Sequence, residues 1–443
     1  MKVKFNELPY FKDGAEYFTH FAHLPYAVFL DGCQSFDLRE RYSIITANPH
    51  ILITPTASDI FSEIRTHLHH LRSSIQIPTV YQYLPFKIGA IGYFSYDLAR
   101  RYFPIKTQTI DDIALPPVAI GIYYWSLIID HHEKKTWVIA LTDEQLQYVN
   151  TQLSAPPIDE SFEILDNFQS NMTFHDYAVA FQKIQYHIRQ GDCYQVNLCQ
   201  RFSTTYRGSP WKAYQYLRQI NPTPLSTYFN LDNNQAILSF SPERFLRIKN
   251  NDVETKPIKG TAARFEDLMD DERSAKKLLH SEKDNAENLM IVDLLRNDLG
   301  KCCKPGTIHV PKLATLESFP NVHHLVSTVM GQLRNNQDAL DVLRHCFPGG
   351  SITGAPKLRA MQIIEALELH RRSVYCGSIG YIDIDGNLDC NIAIRTFICD
   401  RNQIHCYTGG GIVADSILKN EYEESKMKVE RLIHAIFEKF KMK

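Results

Sequence analysis

Lys259 sits between an apolar β-branched residue and a glycine, in Thr255-Lys256-Pro257-Ile258-Lys259-Gly260-Thr261. Of all the residues in this chain it has the most direct route to covalent chemistry. Desolvated in a tight corner, a lysine amine falls below its usual pKa of about 10.4 and becomes a nucleophile. Lysine is also the commonest solvated surface charge, so the neighbourhood has to carry the argument. Upstream, the runs 241–248 and 252–258 read as two strands around the turn signal Asn250-Asn251-Asp252. A turn centred on Asn251 sets Glu243 opposite Lys259, an acid beside a nucleophilic amine; a loop one residue shorter would put them on opposite faces.

Two acidic pairs offer a second kind of chemistry. Asp284 and Glu287 precede Met290, Ile291, Leu294 and Leu295 on one expected helix, and Glu421 and Glu424 repeat the spacing on the last helix, striped by Val429, Leu432, Ile433, Ile436 and Phe440. Spacing of i, i+3 puts each pair on one face. Two such faces together make an all-oxygen site suited to Mg²⁺, although acids early in a helix also simply complement its dipole. The loop Phe347-Pro348-Gly349-Gly350-Ser351-Ile352-Thr353-Gly354-Ala355-Pro356-Lys357 enters a helix and suits an anion, without the spacing of a nucleotide P-loop. Arg395, expected inside a sheet among Ile392, Ile394 and Phe397, needs a carboxylate partner or an exit to solvent.

The elements that must hold these groups follow from periodicity. Thr173 caps an expected helix with Tyr177, Phe181, Ile184 and Ile188 on one stripe, ended by Gly191; a strand follows in which Gln195 and Asn197 share a face. Residues 1–155 are rich in short aromatic strands, with one helix expected over 57–72, and the polar tract from Thr151 to Thr173 separates them from 170–443. A net charge of −2 with 22% charged residues gives no field for nucleic acid or an anionic membrane. The N-terminus has no apolar leader, and the run from Val118 to Ile129 is too short to span a bilayer, so a cytoplasmic protein is expected. Ten cysteines without a CxxC read as reduced, buried thiols.

PIKGT (257–261), GDCYQVNLCQRF (191–202), SPERF (241–245), KDNAENLMIVDLLRNDLG (283–300), FPGGSITGAPK (347–357), CGSIGYID (376–383) and GGGIVADS (409–416) resemble the chorismate-utilising enzymes, with weaker matches in RYSIITANP (41–49) and GYFSYDLARRY (92–102). The resemblance implies an α+β fold of two large antiparallel sheets packed face to face with helices outside, as in anthranilate synthase component I, with the two halves of the chain interleaved. It implies Mg²⁺ held by Glu287 and Glu424, with Asp284 and Glu421 acting through water, to bind the ring carboxylate of chorismate. Lys259 would add at ring C2 while the C4 hydroxyl leaves, with Glu243 as general acid; ammonia would then displace the lysine by attack at C4, giving 4-amino-4-deoxychorismate, a precursor of 4-aminobenzoate and folate. Tyr375 and Arg395 would hold a substrate carboxylate, the Gly409-Gly410-Gly411 turn and Lys428 the rest, with His324 and Thr353 near the ring.

Branches of the family differ at two of these positions. Where this chain has Lys259, anthranilate synthases resemble an alanine, which leaves C2 open to ammonia; where it has Gln195, isochorismate and salicylate synthases resemble a lysine that activates water. A chorismate-binding paralogue without activity is the non-enzyme alternative. No stretch around the cysteines resembles a glutaminase nucleophile, so ammonia is expected from a separate glutamine amidotransferase subunit. Some relatives carry a tryptophan pocket in the N-terminal half; the region of Gly32-Cys33 and Ser35 to Tyr42 departs from their pattern.

Overall fold

The computed structural model describes residues 2–32, 41–55, 59–319 and 322–442. The departure expected around residues 33–40 lies outside the described residues. Asp59 caps the first long helix, Ile60–Ser74, by accepting the amides of Phe61 and Ser62; Ile60, Phe61, Ile64, Leu68 and Leu71 form its buried stripe. The expected start at Ala57 is also outside the described residues. In Phe174–Arg189, Thr173 and Asp176 form a reciprocal capping box, Tyr177, Phe181 and Ile184 are buried, and Gly191 follows at φ +77°.

Both halves of the chain contribute a block of strands to each of two antiparallel sheets. In the first, Lys4–Leu8, Lys135–Ala140, Trp125–Asp130, Tyr42–Thr46 and Val28–Asp31 lead to a seam at Leu225–Asp232, and the sheet continues through Gln235–Ser241, Thr396–Asp400, Gln403–Ile412 and Gln195–Gly208. In the second, Ile258–Ala263, Val322–Gln332, Asp252–Lys256, Arg244–Lys249, Leu388–Asn391 and Ser378–Asp383 meet Gly89–Phe94 and Val118–Tyr123. The apolar run from Val118 to Ile129 is therefore two strands broken at Tyr124, one in each sheet, and it is continuously apolar because both faces of both strands are covered.

Alternation sorts neighbouring residues into two cores. Val28 and Ile44 enter the core between the sheets with Tyr93, Ile120, Leu246 and Ile379, while Phe29 and Ile45 point outward onto Trp211, Tyr214, Leu217, Val429, Leu432 and Ile436 of the covering helices. The stretch expected to be a polar connection holds a further strand, Phe162–Ile164, paired with Tyr206 to Gly208; Phe162 and Ile164 are buried and Phe162 stacks on Tyr206. Two apolar residues at a spacing of two sufficed to draw it into the core.

A cavity of about 480 Å³ opens beside the seam, lined among others by Asp31, Arg41, Tyr83, Ser226, Arg247 and Asn391. Neither Lys259 nor the two acidic helices reach it.

Candidate active site

The hairpin turns on two residues, not three. Asn250 and Asn251 both have positive φ, +52° and +70°, so Lys249 pairs with Asp252; a bulge then resets the register to Arg244 opposite Lys256. Glu243 and Lys259 are thus not cross-strand partners, contrary to the expectation from the sequence. Lys259 belongs to the strand Ile258–Ala263, which pairs on its other side with Val322–Gln332, Ile258 facing Val326 and Thr261 facing His324. The two groups still meet around the end of the hairpin: the Ile258 amide donates to the Glu243 carboxyl, and Lys259 and Arg395 act on it electrostatically. Burial pushes that carboxyl up to about 7, against the opposing pull of Ser351, Lys259, Ile258 and Arg395. Ser351, which motif reading passed over, donates from Oγ to Glu243 Oε1 at 2.6 Å.

Gly260 brings this strand onto the acidic helix. Its φ is +81°, and a Cβ there would stand 3.0 Å from both Asp284 Cγ and Leu278 Cδ1. The helix Glu282–Gly300 starts where Ser281 accepts the Asp284 amide, and Glu287 one turn on lies 3.6 Å from Lys259 Nζ through Oε2. Lys283 bridges toward the other helix, Leu418–Phe440, with Nζ 2.9 Å from Glu421 Oε1 and 3.9 Å from Glu287 Oε1. Glu421 is buried and also accepts from Ser416 Oγ at 2.7 Å. Glu424 pairs with Lys428 at 3.0 Å, and Lys428 donates to the Gly409 carbonyl at 3.0 Å.

The two expected acidic faces are therefore together, with Lys259, Lys283 and Lys428 among them. Burial raises the Glu287 carboxyl against the pull of Lys259 and Lys283; in Glu424 burial acts the same way, but Lys428, Lys283 and Lys259 outweigh it and hold the carboxyl low. Among the described residues no three His, Cys, Asp or Glu side chains converge closely enough to coordinate a metal ion as they stand. The chemistry of the set nevertheless fits a hard divalent cation: every acidic donor is a carboxylate oxygen, on two helices that face each other across Lys283.

The remaining expected residues fall into two groups. Arg395 lies not inside a sheet but in the bend between Leu388–Asn391 and Thr396–Asp400, which belong to different sheets; its φ is +50°. The change of sheet explains why Ile392 and Ile394 flank a cation. Desolvation lowers the guanidinium to about 10, partly offset by Glu243, and among the described residues it has no ion-pair partner. His324 accompanies it: Nδ1 is 2.9 Å from Thr261 Oγ1, Nε2 is buried without a partner, and desolvation with the Arg395 charge brings the ring down to about 3, leaving it neutral.

Gly409, Gly410 and Gly411 form no turn. They are strand residues opposite Cys199, Leu198 and Asn197. A Cβ at Gly411 would lie 2.9 Å from Gln195 Cδ and one at Gly409 3.0 Å from Asn197 Oδ1, so the glycines make room for two polar side chains. Both are buried, with Gln195 Oε1 and Nε2 and Asn197 Oδ1 unpartnered. Thr353 is adjacent, its carbonyl accepting the Asn197 amide and its Oγ1 donating to the Gly349 carbonyl at 2.9 Å. Tyr375 stands apart: it stacks on Tyr407, and its titratable neighbours are Cys376, Cys199, Arg372 and Glu368 rather than Lys259 or the acidic helices.

A partly buried lysine, a buried acid raised to about 7, an arginine without an ion-pair partner among the described residues and two facing acidic helices share one site, and comparison with known proteins shows the family. Residues 28–434 match the model of the chorismate binding enzymes, and the chain belongs to that family. It is 41% identical over 445 residues to aminodeoxychorismate synthase component 1 of Klebsiella aerogenes, covering 97% of this chain and 98% of the relative. The protein of that name from Escherichia coli (strain K12) is 43% identical over 440 residues, with 96% of each chain covered. Among solved structures, anthranilate synthase component I from Streptococcus pneumoniae TIGR4 superposes with a TM-score of 0.78 at 31% identity, covering 90% of this chain and 93% of that one.

Proposed function

We propose that this chain aminates chorismate at C4, as the chorismate-binding component of an aminodeoxychorismate synthase. The observation that carries the reading is Lys259: a partly buried amine held loosely at 3.6 Å from Glu287, with a carboxyl raised to about 7 beside it. Attack of the Lys259 amine on ring C2 moves both ring double bonds along the diene and breaks the C4–O bond. Glu243 gives its proton to the departing hydroxyl, which leaves as water, and the amine nitrogen passes its own extra proton to the Glu243 carboxylate so formed. Ammonia then forms the C4–N bond as the Lys259–C2 bond breaks, and one proton passes by way of Glu243 from the new ammonium to the departing lysine nitrogen, returning the amine. Chorismate and ammonia become 4-amino-4-deoxychorismate and water.

Arg395, lacking a protein partner, supplies a site for a substrate carboxylate, and the unpartnered amides of Gln195 and Asn197 supply neutral hydrogen-bonding groups deeper in the site. Glu287 and Glu424, supported by Asp284 and Glu421, would hold Mg²⁺, which polarises the ring carboxylate when bound. Lys428 and the glycine strand shape the far end. The presence of lysine at 259 favours this reading over direct attack of ammonia at C2, which needs that corner open. The name of the relatives, component 1, supports a separate amidotransferase subunit as the ammonia source. Among the described residues no helix is long and apolar enough to cross a membrane, in keeping with work in the cytoplasm.

Product identification tests the proposal. The purified chain with chorismate, an ammonium salt and Mg²⁺ is expected to give 4-amino-4-deoxychorismate, and with glutamine alone to give nothing until the amidotransferase is added. Anthranilate as the main product would overturn it.

A further inference from the structure

Ser351 contacts the acid and was assigned no task above. It lies in the turn Gly350–Ile352, 8% exposed, and its Oγ is 2.6 Å from Oε1 of Glu243, itself 5% exposed. A serine in such a turn ordinarily returns its hydroxyl to a carbonyl three or four residues back. Thr353, two residues on, does this with Gly349 and Gly350; Ser351 does not. Its backbone is held from three sides. Gly350 lies so close to the acidic helix that a Cβ would stand 2.5 Å from Leu294 Cδ2, Arg372 Nη1 donates to the Ile352 carbonyl at 2.9 Å, and the Asn197 amide donates to the Thr353 carbonyl at 2.9 Å. The hydroxyl is aimed by packing that involves the acidic helix and the Gln195 strand together.

We propose that Ser351 is the positioning residue of the general acid: its proton occupies Oε1 of Glu243, so the transferable proton is carried on Oε2, and the carboxylate left after transfer meets a donor already in place. This rests on the reading of Glu243 as the acid. Before transfer the hydroxyl of Ser351 donates to the carbonyl-like oxygen of the protonated carboxyl; after transfer it donates to a full carboxylate and the bond strengthens. The charged groups facing Glu243 are Lys259, on the strand that ends the hairpin, and Arg395, in the bend between the sheets, and the Ile258 amide is the other neutral donor. Ser351 is thus the hydroxyl donor on that carboxyl, and the cations that also favour its ionised form engage substrate.

The test compares Ser351→Ala and Ser351→Thr with the unaltered chain, Glu243→Gln serving to assign the Glu243 carboxyl band in the infrared. Titrated in the ligand-free protein, that band is expected to lose its protonated form near pH 7 in the unaltered chain, about one pH unit higher in Ser351→Ala, and close to the unaltered value in Ser351→Thr. Formation of the covalent adduct, followed by rapid mixing without ammonia, is expected to slow about tenfold at neutral pH in Ser351→Ala, with its alkaline limb moved upward by the same interval. A purely structural role would slow the reaction without moving the limb or the band, and that result would overturn the proposal. If the band moves but Glu243→Gln turns over normally, the acid role of Glu243 fails and the positioning role with it.

Discussion

Two of the lysines that face carboxylates in this molecule are held in opposite ways. Lys87 is fully buried and saturated: Nζ lies 3.3 Å from Asp383, 2.8 Å from Asp385 and 3.3 Å from the Leu84 carbonyl. Lys259, 11% exposed, has the single looser contact to Glu287 among the described residues. The arginines divide likewise. Arg372 spends its donors on both oxygens of Glu368 and the carbonyls of Ile352 and Asn197, whereas Arg395 keeps its donors free of ion pairs. A buried charge with every valence met ties strands together; one left unmet costs stability unless a ligand completes it.

This contrast can be broken experimentally. The largest expected effect is in Lys259→Ala, where turnover falls on the order of 10⁴-fold while the urea midpoint barely moves, because a loosely held charge is lost but the nucleophile with it. Mass mapping of the trapped unaltered protein should find the adduct on Lys259; near-normal C4 amination by the alanine variant would return this lysine to a structural role. Next come Glu287→Ala and Glu424→Ala, each expected to lower turnover by about 10³-fold and to abolish Mg²⁺ binding by calorimetry, again with the fold retained. Calorimetric binding unchanged in both would remove the metal assignment.

On the saturated side, Arg372→Met should lower unfolding free energy by about 3 kcal/mol in urea titrations, since it strands Glu368 in the core. A loss no larger than that of Lys259→Ala would erase the distinction. The smallest effect is a gain. The Glu243 carboxyl is raised in the folded chain from 4.5 to about 7, so its contribution to stability is complete below pH 4.5 and is lost as pH rises through 7. Glu243→Gln should therefore match the unaltered chain at pH 4 and exceed it at pH 8.5 by on the order of 2 kcal/mol. Equal stability at both pH values would mean that the carboxyl is not desolvated.

Local signals were readable in the sequence and non-local ones were not. Capping at Thr173, the stripe of the last helix and the paired acids all depend on residues within a turn or two of each other, and they stand where periodicity puts them. The register of the hairpin failed first because Asn250 and Asn251 close a two-residue turn, and then because a bulge between Arg244 and Arg247 is not written in the turn residues. Arg395 was misplaced because one apolar run crosses from sheet to sheet, and Gly409 to Gly411 because three glycines look the same in a turn and in a strand that must clear Gln195 and Asn197. Lys283 and Ser351 lay inside motifs that were read for other groups, the acidic pair Asp284 and Glu287 and the anion-suited glycine loop.

The seam between Val28–Asp31 and Leu225–Asp232 has a consequence for how the chain is made. The strand emerging first from the ribosome waits for a neighbour encoded about 200 residues later, which at roughly 5–20 residues per second is on the order of 10–40 s. Throughout that interval one ladder edge of Val28–Asp31 is without its native neighbour, and the pairing that closes it is among the most distant in the chain. Newly made chains should therefore depend on a holding chaperone well before residue 225 appears, and cutting the gene between its halves should yield two insoluble fragments rather than two domains.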